Sequence, residues 1–277
     1  MRSHLFLLFG ALLLLGLRPA PASRASLQIT YVGNEGFLLR VGGEKILIDS
    51  LYRQGVRPYV VHPAQRLERM ETALTPFDAI GLVLATHHHA DHFDADSVAR
   101  HLRSNPRATF VSTHQSGQAL ARAAPELEQR VRAQTPVAGK KLERTLGELG
   151  LTAMNMHHGR GNPAENLGFL IEVGGWKVLH VGDTQMSSAE LAVYELDQEG
   201  IDVAFVPSWF FEDPDLVQAL RQEIAPRHVV VMHLPPLSYG GGFIAAAGGW
   251  VAVFDRISSH FPEAKWFEAE MDSLTLD

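Results

Sequence analysis

The feature that most constrains this chain is the stretch Thr86-His87-His88-His89-Ala90-Asp91-His92, which directly follows the apolar run 80–85. Four side chains able to ligate a metal stand at His87, His89, Asp91 and His92. Neither the 3.6-residue period of a helix nor the two-residue period of a strand brings all four to one side. A compact loop at the end of a buried strand can gather them. Neutral imidazoles with a carboxylate are the donor set that borderline divalent metals such as zinc prefer, and catalytic sites of this kind keep one position open for water.

Three further segments repeat the arrangement of an apolar run ending in a possible ligand. Run 149–156 leads into His157-His158-Gly159, run 176–181 into Gly182-Asp183-Thr184, and run 229–232 into His233-Leu234-Pro235. Taken singly, a histidine after a strand is an ordinary hydrogen-bonded loop residue, and Gly-Asp is an ordinary turn. Together they imply one site, because ligands in sheet-based α/β proteins collect where loops leave the carboxyl ends of strands.

The remaining pattern supplies such strands. Closely spaced β-like runs at 27–32, 37–41 and 45–48 read as a meander of hairpins, and further runs lie at 80–85, 108–112, 149–156, 167–173, 176–181, 203–206 and 229–232. Helix-like stretches at 94–103, 116–123, 188–199, 214–224 and 250–259 fall between them. This order predicts an α/β fold in which two sheets pack face to face with helices outside, as one domain spanning 27–277. The segment 238–250 carries five glycines around Phe243 and reads as a mobile loop, either a plain connector or a lid over the site.

Composition narrows the chemistry. The 277 residues include 14 His and no Cys, which excludes disulfide frameworks, thiolate metal sites, lipobox anchoring and thiol nucleophiles. A net charge of −7 argues against a nucleic-acid partner held by charge. At the N-terminus, Arg2 and His4 precede the apolar run 5–17, then Arg18 and the small residues Ala20 and Ala22. Residues 1–22 thus read as a secretory signal, too short in its apolar part for a membrane span, and predict an exported protein, periplasmic or secreted, with an N-terminal anchor as the alternative. His62, His88, His101, His114, His180, His228 and His260 lack ligand spacing and are expected to be surface or structural residues. Trp209, Phe210 and Phe211 could wall a pocket or belong to the core.

The His-x-His-x-Asp-His motif, the opening Tyr31-Val32-Gly33-Asn34-Glu35-Gly36-Phe37 and the strand end Ile48-Asp49 resemble the metallo-β-lactamase superfamily of metal-dependent hydrolases. The run Asn166-Leu167-Gly168-Phe169 with Val178-Leu179-His180-Val181-Gly182-Asp183-Thr184 is most similar to the branch of ascorbate-phosphate lactonase and the phosphodiesterase that cleaves N-acylphosphatidylethanolamine. The resemblance implies an αββα sandwich of two mixed sheets with helices on the outer faces. It implies two divalent metal ions, zinc before manganese or iron. One would be held by His87, His89 and the third-motif histidine, the other by Asp91, His92 and His233, with Asp183 bridging. For the third motif His158, which precedes the loop glycine, is chosen over His157. Asp49 is the candidate to orient a ligand imidazole.

The implied activity is hydrolysis of an ester, lactone, phosphodiester or amide, the branch resemblance favouring a phosphodiester or lactone, by a hydroxide shared between the metals, with Asp91 orienting it or moving its proton. Two divalent cations against Asp91, Asp183 and hydroxide leave one positive charge, which suits a small-molecule or lipid-like substrate that is anionic or becomes so. The alternative on the same scaffold is an iron-dependent oxidoreductase or a metal-binding protein.

Overall fold

The computed structural model describes residues 24–277; the expected signal, 1–22, lies outside them. Among the described residues no helix is long and apolar enough to cross a membrane. Within 24–277, thirteen strands form two mixed sheets. The first sheet contains β1 (Leu27–Gly33), β2 (Gly36–Val41), β3 (Glu44–Ile48), β4 (Leu82–Ala85), β5 (Thr109–Ser112), β6 (Val131–Ala133) and β13 (Ser273–Leu276), in the order β13-β1-β2-β3-β4-β5-β6. The second contains β7 (Lys141–Leu146), β8 (Leu149–Asn155), β9 (Leu167–Val173), β10 (Trp176–His180), β11 (Val203–Pro207) and β12 (His228–Met232), in the order β12-β11-β10-β9-β8-β7.

Alternation along the strands of the first sheet decides which layer each side chain joins. Leu39, Ile46, Ile48 and Leu84 point between the sheets, where they meet Leu151, Phe169, Ile171 and Val178 of the second sheet. Their neighbours Leu38, Leu47 and Val83 point outward to α2 (Ala95–Ser104) and α3 (His114–Ala123), against Val98, Leu102 and Leu120. Buried on both faces between parallel partners, β4 is apolar throughout, as such strands must be. Phe37 of β2 reaches Phe205 of β11 across the interface, ring centroids 4.4 Å apart. Truncating it would open a cavity costing about 3–5 kcal/mol.

The outer layers are completed by α1 (Ala64–Glu71), α4 (Ser188–Leu191), α5 (Pro214–Ala219), α6 (Gly242–Ala247) and α7 (Trp250–His260). Two expectations need correction here. The stretch 188–199 is not one helix: α4 gives way to short 3-10 turns, and Glu195 adopts a left-handed φ of 48°. The glycine-rich segment is not an open loop either. Gly241 and Gly248 bracket α6, Gly248 taking the left-handed conformation (φ 97°) that ends a helix, and the Trp250 indole donates to Tyr239 O at 2.8 Å.

Topology puts the chemistry on one edge. β3, β4, β8, β10 and β12 all end there, and because β2 runs antiparallel to β3, pairing Phe37 with Ile48, the β1–β2 turn lies beside the end of β3.

Candidate metal centre

After Ala85 the chain leaves β4 and turns tightly, with the backbone amides of His92 and Phe93 both donating to His89 O at 3.0 Å. Asp94 then caps α2, its side chain accepting from Ser97 N at 2.8 Å. The loop is anchored by Asp49, fully buried at the end of β3 with a left-handed φ of 43°. Its carboxylate accepts from Thr86 N (2.7 Å), Thr86 Oγ1 (2.6 Å) and His92 Nδ1 (2.8 Å). Donation from Nδ1 leaves Nε2 of His92 as the lone-pair nitrogen, the arrangement a ligand imidazole needs. Asp49 therefore occupies the position expected of it.

Two groups of donors form. His87, His89 and His158 present ring nitrogens within 4.8 Å of one another, and so do Glu35, His92, Asp183 and His233 with one donor atom each. Asp183 stands between them: its Oδ2 lies 3.9 Å from His87 Nε2, 3.5 Å from His158 Nε2, 3.4 Å from His92 Nε2 and 3.3 Å from His233 Nε2. Both Glu35 oxygens, His92 Nε2 and Asp183 Oδ1 are buried without a hydrogen-bond partner among the described residues. Orphaned polar atoms of this kind cost 1–3 kcal/mol each or more when charged, at roughly the net worth of several hydrogen bonds. A cation among these donors would supply the partner and the charge that burial leaves missing, so the residues present fit a metal.

Electrostatics separates the groups. Burial, then the neighbouring His92, holds His87 well below the ordinary imidazole range; burial also lowers His89 and His158. These three are neutral near pH 7 and ready to coordinate. In the second group burial alone would lower His233, but Glu35 and Asp183 outweigh it and push it up to about 9. His92 is raised well above its usual value against the same burial by Asp183, Glu35 and Asp49. Burial pushes Glu35 up to about 8 in spite of His233 and His92, whereas those two histidines overcome burial at Asp183 and hold it well below the carboxylate range. Protons on these groups thus offset the buried carboxylate charge in the metal-free chain.

The structure brings together six of the seven residues expected as ligands. Asp91 is the exception. Buried and close enough for its charge to act on Glu35 and Tyr59, it stands beside the second donor group, in which Glu35, a residue without ligand spacing in the sequence, is the fourth member. The reason is the turn that carries Glu35. Asn34 takes a left-handed φ of 54°, its amide donates to Tyr52 OH (3.0 Å) and Val60 O (3.1 Å), and its side-chain oxygen accepts from Val60 N (2.8 Å). That fixes Glu35 with its side chain in the centre. His158 enters the first group, while His157 turns to Glu190 at 3.3 Å.

Of the histidines without ligand spacing, His88 is exposed, and buried His62 and His101 bond to Ser50 O and Met70 O. His180 is more than a space-filler. It bonds Glu35 O through Nε2 at 2.9 Å and accepts from Gly182 N through Nδ1 at 3.1 Å, tying the Asp183 loop to the Glu35 turn. Tyr59 and Trp209 set their rings against His233, centroids 4.2 and 4.8 Å away. Trp209 also lines a cleft of about 740 Å³ with Arg160, Gln185, Glu190, Glu212, Asp213 and Asp215, whereas Phe210 and Phe211 are core.

Comparison with known proteins agrees with this geometry. Residues 44–248 match the family model of the β-lactamase superfamily domain. A UPF0173 metal-dependent hydrolase of Symbiobacterium thermophilum is 30% identical over 212 residues, covering 75% of this chain and 84% of that protein. Among solved structures, a metallo hydrolase of Ignicoccus hospitalis superposes with a TM-score of 0.60 at 20% identity, over 91% of this chain and 99% of that one. A diiron β-hydroxylase of Streptomyces venezuelae gives 0.58 at 17% identity, over 94% of this chain and 55% of that one. At such identities these two speak for the αββα fold alone. Family match, relative and fold, on a chain whose strand ends assemble two donor groups, lead to one conclusion: the protein belongs to the metallo-β-lactamase superfamily and is a metal-dependent hydrolase.

Proposed function

We propose that the protein is an exported hydrolase that holds two divalent cations, zinc foremost, and cleaves an uncharged carbonyl substrate, an ester or a lactone, in preference to a phosphodiester or amide. The observation that carries the two-cation reading is Asp183 Oδ2, which stands within 3.9 Å of four histidine nitrogens drawn from both donor groups. Cations held there would supply hydroxide near neutrality by lowering the pKa of a bound water to about 7. Asp91, beside the centre and outside both groups, is the carboxylate placed to take the proton that this water releases or to hand it to the leaving group.

Charge supports this choice of substrate class. Glu35 adds a third carboxylate to Asp91 and Asp183, so two divalent cations with hydroxide sum to zero instead of the single positive charge expected without it. The cleft beside Trp209 sets Glu190, Glu212, Asp213 and Asp215 against one arginine, Arg160, which is itself paired with Glu190 at 2.8 Å. An anionic phosphodiester gains little from such surroundings. A neutral ester or lactone meets no repulsion, and about 740 Å³ is a volume for a small molecule or one acyl chain. Export is supported by the charge and apolar pattern of residues 1–22.

The test is a hydrolysis screen of the metal-loaded chain against lactones, esters, phosphodiesters and acyl amides. Lactones or esters should turn over fastest, His89→Ala should abolish most turnover, and Asp91→Asn should lower the rate while metal content stays at two. Fastest turnover of phosphodiesters overturns the substrate reading. Stoichiometric iron with oxygen uptake and no hydrolysis would favour an oxidoreductase.

A further inference from the structure

We infer that Glu35 is a direct ligand of the cation held by His92, Asp183 and His233, which makes this a two-imidazole, two-carboxylate site beside a three-imidazole one. The inference rests on the two-cation reading above and adds to it a ligand that the His-x-His-x-Asp-His motif does not contain.

Geometry is the first argument. Four ligands about 2.0–2.2 Å from a tetrahedral cation lie roughly 3.4 Å from one another along each edge of the tetrahedron. Asp183 Oδ2 keeps that spacing from both imidazoles, 3.3 Å from His233 Nε2 and 3.4 Å from His92 Nε2, and Glu35 turns one oxygen to each of the same nitrogens, Oε1 3.1 Å from His233 Nε2 and Oε2 3.4 Å from His92 Nε2. Glu35 is fully buried, and neither of its oxygens makes a hydrogen bond among the described residues. A carboxylate taken from water and left unpartnered is destabilising unless a charge meets it.

Construction of the turn is the second argument, since a ligand must be held before the metal arrives. Glu35 O accepts from His180, whose other ring nitrogen grips Gly182 next to Asp183. Asn34 O accepts from His233 N at 3.3 Å. The turn is thus bonded to the segments bearing the two other ligands it faces. It cannot drift outward: a Cβ on Gly36 would stand 2.8 Å from Asp49 O, so the backbone is pressed against the end of β3.

Donor chemistry then makes the two sites unequal. Imidazole-rich sets suit zinc, and replacing an imidazole by a carboxylate moves preference toward manganese or iron. Manganese should therefore compete with zinc more effectively at the Glu35 site than at the His87, His89, His158 site.

The experiment compares metal-depleted full chain, E35Q and H89A, refilled with zinc, manganese or cobalt. Metal content is read by mass spectrometry, affinity by chelator competition, and coordination by the cobalt visible spectrum; melting of the metal-free forms reports folding. The wild type should hold two ions. E35Q should lose or weaken one of them by more than the ~10–100-fold expected for removing an outer partner, with a changed cobalt spectrum. H89A should lose the other. Two ions in E35Q with affinities within about threefold of the wild type, a margin well inside that ~10–100-fold, overturn the inference and leave the two-cation reading intact. A single ion in the wild type, unmoved by E35Q, overturns both. Should E35Q not fold, Glu35→Asp keeps the charge but withdraws the carboxylate by one methylene, and full affinity for both ions in that variant overturns the inference equally.

Discussion

Asp49→Asn isolates the part of the centre that never touches the metal. Asp49 accepts three hydrogen bonds at full burial, two from Thr86 and one from His92 Nδ1. Asparagine has the same shape and tolerates the left-handed φ of 43° at this position. Its oxygen can keep the bond from Thr86 N, and the Thr86 hydroxyl can reverse to accept from the new amide. His92 has no such freedom. An amide N–H now faces Nδ1, so the ring must give up its Nδ1 proton and carry one on Nε2, which points that proton at the cation. One charge-assisted bond is lost and one ligand is held in the wrong tautomer. The first effect costs about 1–3 kcal/mol of stability. Loss of such an outer partner lowers metal affinity ~10–100-fold, or about 1.4–2.8 kcal/mol, and complete burial places this case at the upper end. Chelator competition should show weakening confined to the ion at His92, while nitrogen NMR of the labelled ring should report the Nε2–H tautomer. Unchanged affinity at that ion, or weakening only at the three-histidine group, would refute the reasoning.

Further outcomes follow from the same contacts. His158→Ala should remove the ion of the first group, whereas His157→Ala, which frees only Glu190, should leave metal content unchanged; metal analysis of the pair decides. Gly182→Ala places a Cβ 2.3 Å from Asn166 Oδ1 and 2.8 Å from Thr86 Cβ at a φ of 57°. A cost of about 2 kcal/mol should lower the melting temperature by roughly 4–8 °C, and an unchanged transition would contradict it. Metal binding near pH 7 should release protons, because His233 in the metal-free chain is raised to about 9 and Glu35 to about 8. Calorimetry in buffers of different ionisation enthalpy should find this release fading above about pH 9. For the same two groups the folded metal-free chain binds more protons than the unfolded one, whose values are 6.5 and 4.5. Their stabilising contribution is therefore complete only at low pH and declines from pH 4.5 to about 8 for Glu35 and from pH 6.5 to about 9 for His233. A metal-free chain that grows more stable over that window would refute this assignment.

The loop from His87 to His92 was legible in the sequence because the spacing of His87, His89, Asp91 and His92 has no secondary-structure explanation. His158, Asp183 and His233 were legible because each follows an apolar run. Edge elements were harder to see. β7 reads Lys-Leu-Glu-Arg-Thr-Leu and pairs only with β8, so its charges face solvent and its alternation is blurred. β13 is four residues long and is defined by its partner β1 alone, and β6 spans three. In α6 glycine density misled, since Gly241 and Gly248 mark the ends of a helix and do not loosen it.

Glu35 was hidden for a different reason. A single carboxylate between Asn34 and Gly36 in a tight turn carries no spacing signal, and the strand-end rule looks only at residues that follow a strand. Yet the meander itself contains the information. When β2 reverses between β1 and β3, the β1–β2 turn must emerge on the edge where β3 and its parallel neighbour β4 end. A ligand-type residue in that first turn therefore has the same positional meaning as one following a parallel strand. Asp49 and Glu35 illustrate the two routes: one follows β3 and orients His92 from behind, the other precedes β2 and faces the same imidazole from the opposite side, 2.8 Å from Nδ1 and 3.4 Å from Nε2. His92 is thus held between two carboxylates on opposite ring nitrogens.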